Sequence, residues 1–197
     1  YYCLNYFIVF AEFLVVMHKK LQLLDKKIII TRAQDQSSEA HKIFKKNGAQ
    51  VFDLPSLIIG PPDDWAPLDK ALEKIYTFDW IIFSSANGVR NVEERMNQIG
   101  LSLSEISKTI QIAVVGRKTA SLLSDMDAKI SFVPPSFVAD SLVEHFPQNQ
   151  KGLKLFIPRV QTGGRSILFD SFKLKGAEVT EVAAYESSCP QEIPQRT

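Results

Sequence analysis

Two polar loops hold the side chains best suited to chemistry. Each follows an apolar run and opens a helical pattern. The first is SSANG, Ser84 to Gly88. Ser84, Ser85, Ala86 and Asn87 offer two hydroxyls and successive backbone N–H groups at a helix N-terminus, an arrangement that cradles anions. A capped strand-to-helix turn explains the same residues. The second is VGRKTA, Val115 to Ala120. Gly116 would let a ligand approach the backbone, with Lys118 and Thr119 facing it. The other reading is a tight turn followed by an ordinary helix residue. Neither loop is a Walker A sequence or a GxGxxG fingerprint, so nucleotide binding gains little support. Arg32 and Arg159 each end an apolar run and suit bidentate carboxylate recognition, although structural salt bridges explain them equally. Tyr185 lies just past the last expected strand. Its phenol could donate a proton at a cleft or pack at an interface.

Other chemistries find no residues. His18, His41 and His145 are scattered, with no metal-ligand spacing, so no metal site is expected. His41 and His145 read as surface residues on helices. No Ser/His/Asp arrangement emerges. Cys3 and Cys189 sit at opposite ends, forming neither a metal motif nor a disulfide framework, which fits a reducing compartment. A net charge of +1 provides no basic field for nucleic acid. The 45% hydrophobic and 23% charged residues are those of a soluble globular protein.

The elements that must position these loops alternate strand and helix. Strands are expected at Ile28–Thr31, Val51–Phe52, Trp80–Phe83, Ile112–Val115, Ile130–Val133, Leu155–Ile157 and Val179–Val182. Helices are expected between them, several stopped by glycine, as at Gly48 and Gly100. The class is α/β with mainly parallel sheets, whose sites lie outside the carboxyl ends of strands. The unit Ile28–Val51 is echoed by Leu155–Tyr185: apolar strand, Arg, polar turn, amphipathic helix, then Gly-Ala-polar-Val. That echo suggests two lobes built alike. Leu54 to Pro62 carries turn signals and reads as a crossing.

The apolar run Tyr1 to Val16 is interrupted by Asn5 and Glu12 and falls short of the about 20 residues a membrane helix needs. Lys19 and Lys20 follow it instead of preceding it, unlike a secretory signal. Met17 opens a plausible cytosolic start, so residues before it read as not native to the mature protein. A membrane anchor or amphipathic helix is the competing reading.

The ordered set ITRA (Ile30–Ala33), NGAQVFDLPSL (Asn47–Leu57), FDWIIFSSANGVR (Phe78–Arg90), IAVVGRKTASLL (Ile112–Leu123), FVADSLVEHF (Phe137–Phe146) and LFIPR to VAAYES (Leu155–Ser187) resembles the uroporphyrinogen-III synthase family. The resemblance implies two Rossmann- or flavodoxin-like lobes with parallel sheets, joined by two crossing strands. Residues 26–55 would open the first lobe and residues 56–183 form the second. Residues 184–197 would be the return crossing and tail, and residues 1–25 an extension. Family members continue for several further elements, so the first lobe would be incomplete here. The implied activity is cyclisation of hydroxymethylbilane to uroporphyrinogen III, with loss of water and inversion of the last ring, using no cofactor and no metal. Tyr185 would match the proton donor and Thr119 a hydroxyl facing the cleft. Ser84 to Asn87 and Gly116 to Thr119 would hold substrate carboxylates, with Arg32 and Arg159 adding charge. A monomer is expected, in the cytoplasm or a plastid stroma, able to receive its substrate from hydroxymethylbilane synthase and with no nucleic-acid partner. A non-enzymatic α/β module binding a small anion, or an inactive fragment of the synthase, are the alternatives.

Overall fold

The computed structural model describes residues 21–32, 37–163 and 167–190. Expectations for residues 1–20, Ala33, Gly164 and the tail after Pro190 lie outside the described residues. The chain divides into two compact units, residues 1–58 with 189–197, and residues 59–188.

In the first unit, β1 (Lys27–Ile30) and β2 (Gln50–Asp53) pair in parallel, with Ile28 opposite Val51. They are joined by α1 (Ser38–Lys46). Glu39 in its first turn and Lys45 and Lys46 in its last complement the helix dipole. Gly48, at φ +92°, stops the helix as expected; a Cβ there would come within 2.9 Å of Leu21 Cβ. His41 differs from the surface residue expected: its Nδ1 lies 3.1 Å from Asp53 Oδ2. Ile29 and Ile43 are 55% and 52% exposed.

The second unit is built on a five-stranded sheet in the order β3-β7-β6-β4-β5. Its strands are β3 (Ile58–Gly60), β4 (Trp80–Phe83), β5 (Gln111–Val114), β6 (Lys154–Val160) and β7 (Glu178–Ser188). The β4–β5, β4–β6 and β6–β7 pairings are parallel. Their helices are α2 (Ala66–Glu73), α3 (Ala86–Gln98), α4 (Leu103–Ile106), α5 (Arg117–Asp125), α6 (Ala139–Glu144) and α7 (Ile167–Leu174).

Side-chain alternation divides the interior into two layers. Ile81, Phe83, Ile112, Val114 and Phe156 point to one face and meet Leu68, Leu72, Val89, Val92, Met96 and Leu123 from α2, α3 and α5. Trp80, Ile82, Ala113, Leu155 and Ile157 point to the other and meet Leu142, Phe146 and Phe172. Cover on both faces explains why β4 is buried at every residue.

Two sequence expectations are corrected. Ile130–Val133 forms no strand; only a bridge between Ala113 and Phe132 remains. The N–H groups of Ser131 and Phe132 both donate to the Ile112 carbonyl, and Pro134 and Pro135 have no N–H with which to extend a ladder. Within Leu54–Pro62, the stretch read as a crossing, lies β3, ended by Pro61 and Pro62. The last strand runs to Ser188, not Val182, and carries Tyr185 within it.

Candidate functional site at the carboxyl edge of the sheet

The chain leaves β4 for β5 on one side and later enters β6 on the other side of β4. Strand order thus reverses between β4 and β6, the place where open parallel sheets hold ligands. Pairing of β4 with β6 covers only Trp80–Leu155 and Ile81–Phe156. Pro158, lacking an N–H, follows, and the two strands part towards their carboxyl ends. The first turn of α3 rests on this segment: a Cβ on Gly88 would lie 3.6 Å from the Pro158 carbonyl oxygen.

Ser85 caps α3. Its Oγ accepts from the Gly88 N–H at 3.0 Å, an interaction worth about 1 kcal/mol to a helix. The same Oγ lies 3.0 Å from the Tyr185 hydroxyl. With the Gly88 N–H already directed at Ser85 Oγ, the Ser85 proton can donate to the Tyr185 oxygen, which leaves the phenolic proton to point elsewhere.

A local irregularity brings Tyr185 to this position. Arg159 is opposite Ala183 but Val160 is opposite Tyr185, so β7 holds one extra residue at Ala184. Strict alternation would send Ala184 and Tyr185 to opposite faces; the bulge sends both into the layer of Phe83 and Val89. The Gln161 N–H fixes the Tyr185 carbonyl at 2.8 Å. Gln161 is itself held by reciprocal hydrogen bonds with Asp63, its Nε2 donating to Oδ2 at 2.6 Å and its Oε1 accepting from the Asp63 N–H at 2.7 Å. Glu186 accepts from the Thr162 N–H at 3.0 Å and from the Thr162 hydroxyl.

The neighbouring strand end is joined to this one by the Val115 N–H donating to the Phe83 carbonyl at 2.9 Å. Gly116 precedes α5 with φ +99°, a left-handed conformation that disfavours any side chain. Thr119 is only 3% exposed. Its Oγ1 lies 3.9 Å from where a Gly116 Cβ would stand, and among the described residues its hydroxyl makes no hydrogen bond. The N–H groups of a first helical turn have no acceptor within the helix, so those of Arg117 to Thr119 are available at the same place.

Of the residues nominated from sequence, Ser85, Tyr185, Gly116 and Thr119 therefore lie on adjoining strand ends. Ser84 is exposed. Ala86 and Asn87, expected in a loop, belong to the first turn of α3; Asn87 Oδ1 accepts from Arg90 Nη1 at 3.3 Å. Lys118 is exposed on α5. Arg159 lies inside β6, not after it, on the face of Leu155 and Ile157. Its Nη1 meets Glu181 Oε1 at 3.0 Å and its Nε donates to the Val160 carbonyl at 3.1 Å. Arg32 is exposed after β1 in the first unit. Sequence reading missed Gln161 and Asp63, whose pairing spans 98 positions and has no local signal.

Away from this edge, Ile59, Gly60, Pro61, Trp65, Glu94 and Arg95 are among the residues lining a hollow of about 380 Å³. Arg95 reaches Asp69 through two 2.6 Å hydrogen bonds and lies 5.0 Å from the Trp65 ring. Its guanidinium holds the Asp69 carboxyl below its usual pKa. Among the described residues no group of three or more His, Cys, Asp or Glu side chains could hold a metal ion. Nor is any helix there long and apolar enough to cross a membrane.

The sequence model of the family described as Uroporphyrinogen-III synthase HemD matches residues 38–197. A uroporphyrinogen-III synthase from Synechococcus elongatus is 46% identical over 172 residues, covering 87% of this chain and 64% of that protein. A porphyrin biosynthesis protein HemD from Ruminiclostridium josui is 28% identical over 138 residues, 68% of this chain and 27% of its own length. Among solved structures, a mutant uroporphyrinogen III synthase from Thermus thermophilus superposes with a TM-score of 0.63 at 15% identity, over 83% of this chain and 63% of that one. The synthetase from Helicobacter pylori gives 0.52 at 13% identity, over 85% and 64%. These two likenesses concern the fold. The chain thus spans about two thirds or less of the length of the proteins it matches. With the family model covering 38–197 and close to half of the aligned residues shared with the Synechococcus protein, the chain belongs to the uroporphyrinogen-III synthase HemD family.

Proposed function

We propose that the protein of which this chain is part closes hydroxymethylbilane to uroporphyrinogen III, and that the carboxyl edge of the second unit supplies the acid and part of the anion-binding surface. The observation that carries this reading is the Ser85–Tyr185 hydrogen bond beside the first turns of two helices.

Ring closure begins with departure of the terminal hydroxyl, which is a poor leaving group until it gains a proton. Tyr185 gives that proton, so the hydroxyl leaves as water. Ser85 then donates to the phenolate oxygen, and its own oxygen stays fixed by the Gly88 N–H. The electron-rich pyrrole end attacks the carbon left behind. Inversion of the last ring follows through a spiro intermediate, and loss of a proton restores aromaticity. The substrate is a flexible chain carrying eight carboxylates. Holding it curled is therefore most of the catalytic task. First-turn N–H groups of α3 and α5 and the Thr119 hydroxyl serve as fixed donors to those carboxylates. Such a site needs no cofactor. A monomer in the cytoplasm or plastid stroma, supplied by hydroxymethylbilane synthase, fits this chemistry.

Product analysis by isomer tests the reading. Incubating the full-length protein with hydroxymethylbilane should yield mainly the type III isomer after oxidation and chromatographic separation. Only the type I isomer, which forms without an enzyme, would exclude the proposed activity.

A further inference from the structure

Arginine charges in the second unit are unequally available. Arg95 is neutralised by Asp69 through two hydrogen bonds, and Arg159 by Glu181. Arg90 is exposed and hydrogen-bonded to Asn87. Arg117, like Arg90, has no carboxylate within ion-pair distance among the described residues. Its guanidinium carbon instead stands 4.9 Å from the centre of the Phe137 ring. An aromatic face orients a cation without cancelling its charge, whereas a carboxylate partner does both.

The backbone explains how Phe137 comes to be there. The bridge between Ala113 and Phe132 lays the following segment along the free side of β5. The segment then runs through Pro134 and Pro135, whose rings fix φ. It leaves Val133, Phe137 and Val138 exposed at 39%, 41% and 53%. Arg117 is the first residue of α5, immediately after Gly116. Arg117 thus shares its helix start with Thr119, whose hydroxyl makes no hydrogen bond among the described residues. First-turn N–H groups, the Thr119 hydroxyl and the Arg117 guanidinium all belong to the start of α5. Their common ligand is a carboxylate, and the exposed Phe137 and Val138 offer an apolar surface beside it.

We propose that Arg117, held in place by Phe137, is the cationic contact for one carboxylate arm of the tetrapyrrole at the start of α5. This role passes to it from Arg159, and the inference rests on the cyclisation reading above. Arg117 is a binding residue and Phe137 a positioning residue; neither takes part in proton transfer.

The test is steady-state kinetics of the full-length protein with hydroxymethylbilane at low and high salt, scoring type III product. R117Q should raise KM about tenfold, the effect of losing one charge-assisted hydrogen bond, with kcat little changed. It should also flatten the rise of KM with salt, because a screened cationic contact has been removed. F137L should raise KM in the same direction by less. K108Q, which removes one positive charge at the opposite end of β5, should leave KM and its salt dependence unchanged. An unsubstituted protein that forms type III product, with R117Q matching it in KM and salt dependence, would overturn the role of Arg117 alone. An unsubstituted protein that forms no type III product would overturn the cyclisation reading and this inference with it.

Discussion

Replacing Tyr185 by phenylalanine should lower kcat for type III product about 100-fold, the lower end of what a positioned acid contributes, while KM changes little. The ring is buried in the layer shared with Phe83 and Val89, at 8% exposure, and phenylalanine retains that packing. Only the hydroxyl is lost. Ser85 Oγ keeps its bond from the Gly88 N–H, so the helix cap survives and the thermal midpoint should fall by no more than a few degrees. Kinetics and thermal denaturation on the same preparation separate the two effects. A kcat equal to that of the unsubstituted protein would remove Tyr185 from the chemistry, whatever its hydrogen bond.

Replacing Phe83 by alanine should cost about 3–5 kcal/mol of stability. Phe83 is fully buried, ends β4, and packs with side chains of α2, α3 and α5. One edge of its ring lies 3.8 Å from the position a Gly88 Cβ would occupy, directly under the first turn of α3. The cavity would therefore loosen the turn that carries Ser85, so activity should fall together with stability. F83L, which refills most of the volume, should cost less than about 1.5 kcal/mol. Urea denaturation of the full-length protein gives both values. A loss below about 1 kcal/mol for F83A would show that the layer between the sheet and α3 is not packed as described.

The alternation of strand and helix was legible because parallel, doubly covered strands leave near-continuous apolar runs such as WIIF at Trp80–Phe83. The SSANG and VGRKTA junctions could be placed because Ser85 is a good helix cap and Gly116 tolerates a left-handed φ. What escaped reading depends on contacts across strands. The apolar pattern at Ile130–Val133 matches a strand, but Pro134 and Pro135 and a shared carbonyl limit it to one bridge. Arg159 and Arg117 cannot be told apart by residue type; only folding shows that one faces Glu181 and the other an aromatic ring. The extra residue at Ala184 has no sequence mark, yet it turns Tyr185 to the face where Ser85 stands. The likeness between Ile28–Val51 and Leu155–Tyr185 survives as two parallel strand-helix-strand units, one in each compact unit. The arginines in the two repeats nevertheless differ in placement, Arg32 exposed after its strand and Arg159 paired within its own.

The most direct measurement is a crystal structure of the full-length protein with uroporphyrinogen III bound. The expected result is a side-arm carboxylate within about 3 Å of the first-turn N–H groups of α5, with the Tyr185 hydroxyl facing the macrocycle. A macrocycle bound away from the carboxyl edge of the sheet, for instance against Trp65 and Arg95 in the hollow beside α3, would contradict the assignment of this edge as the active site.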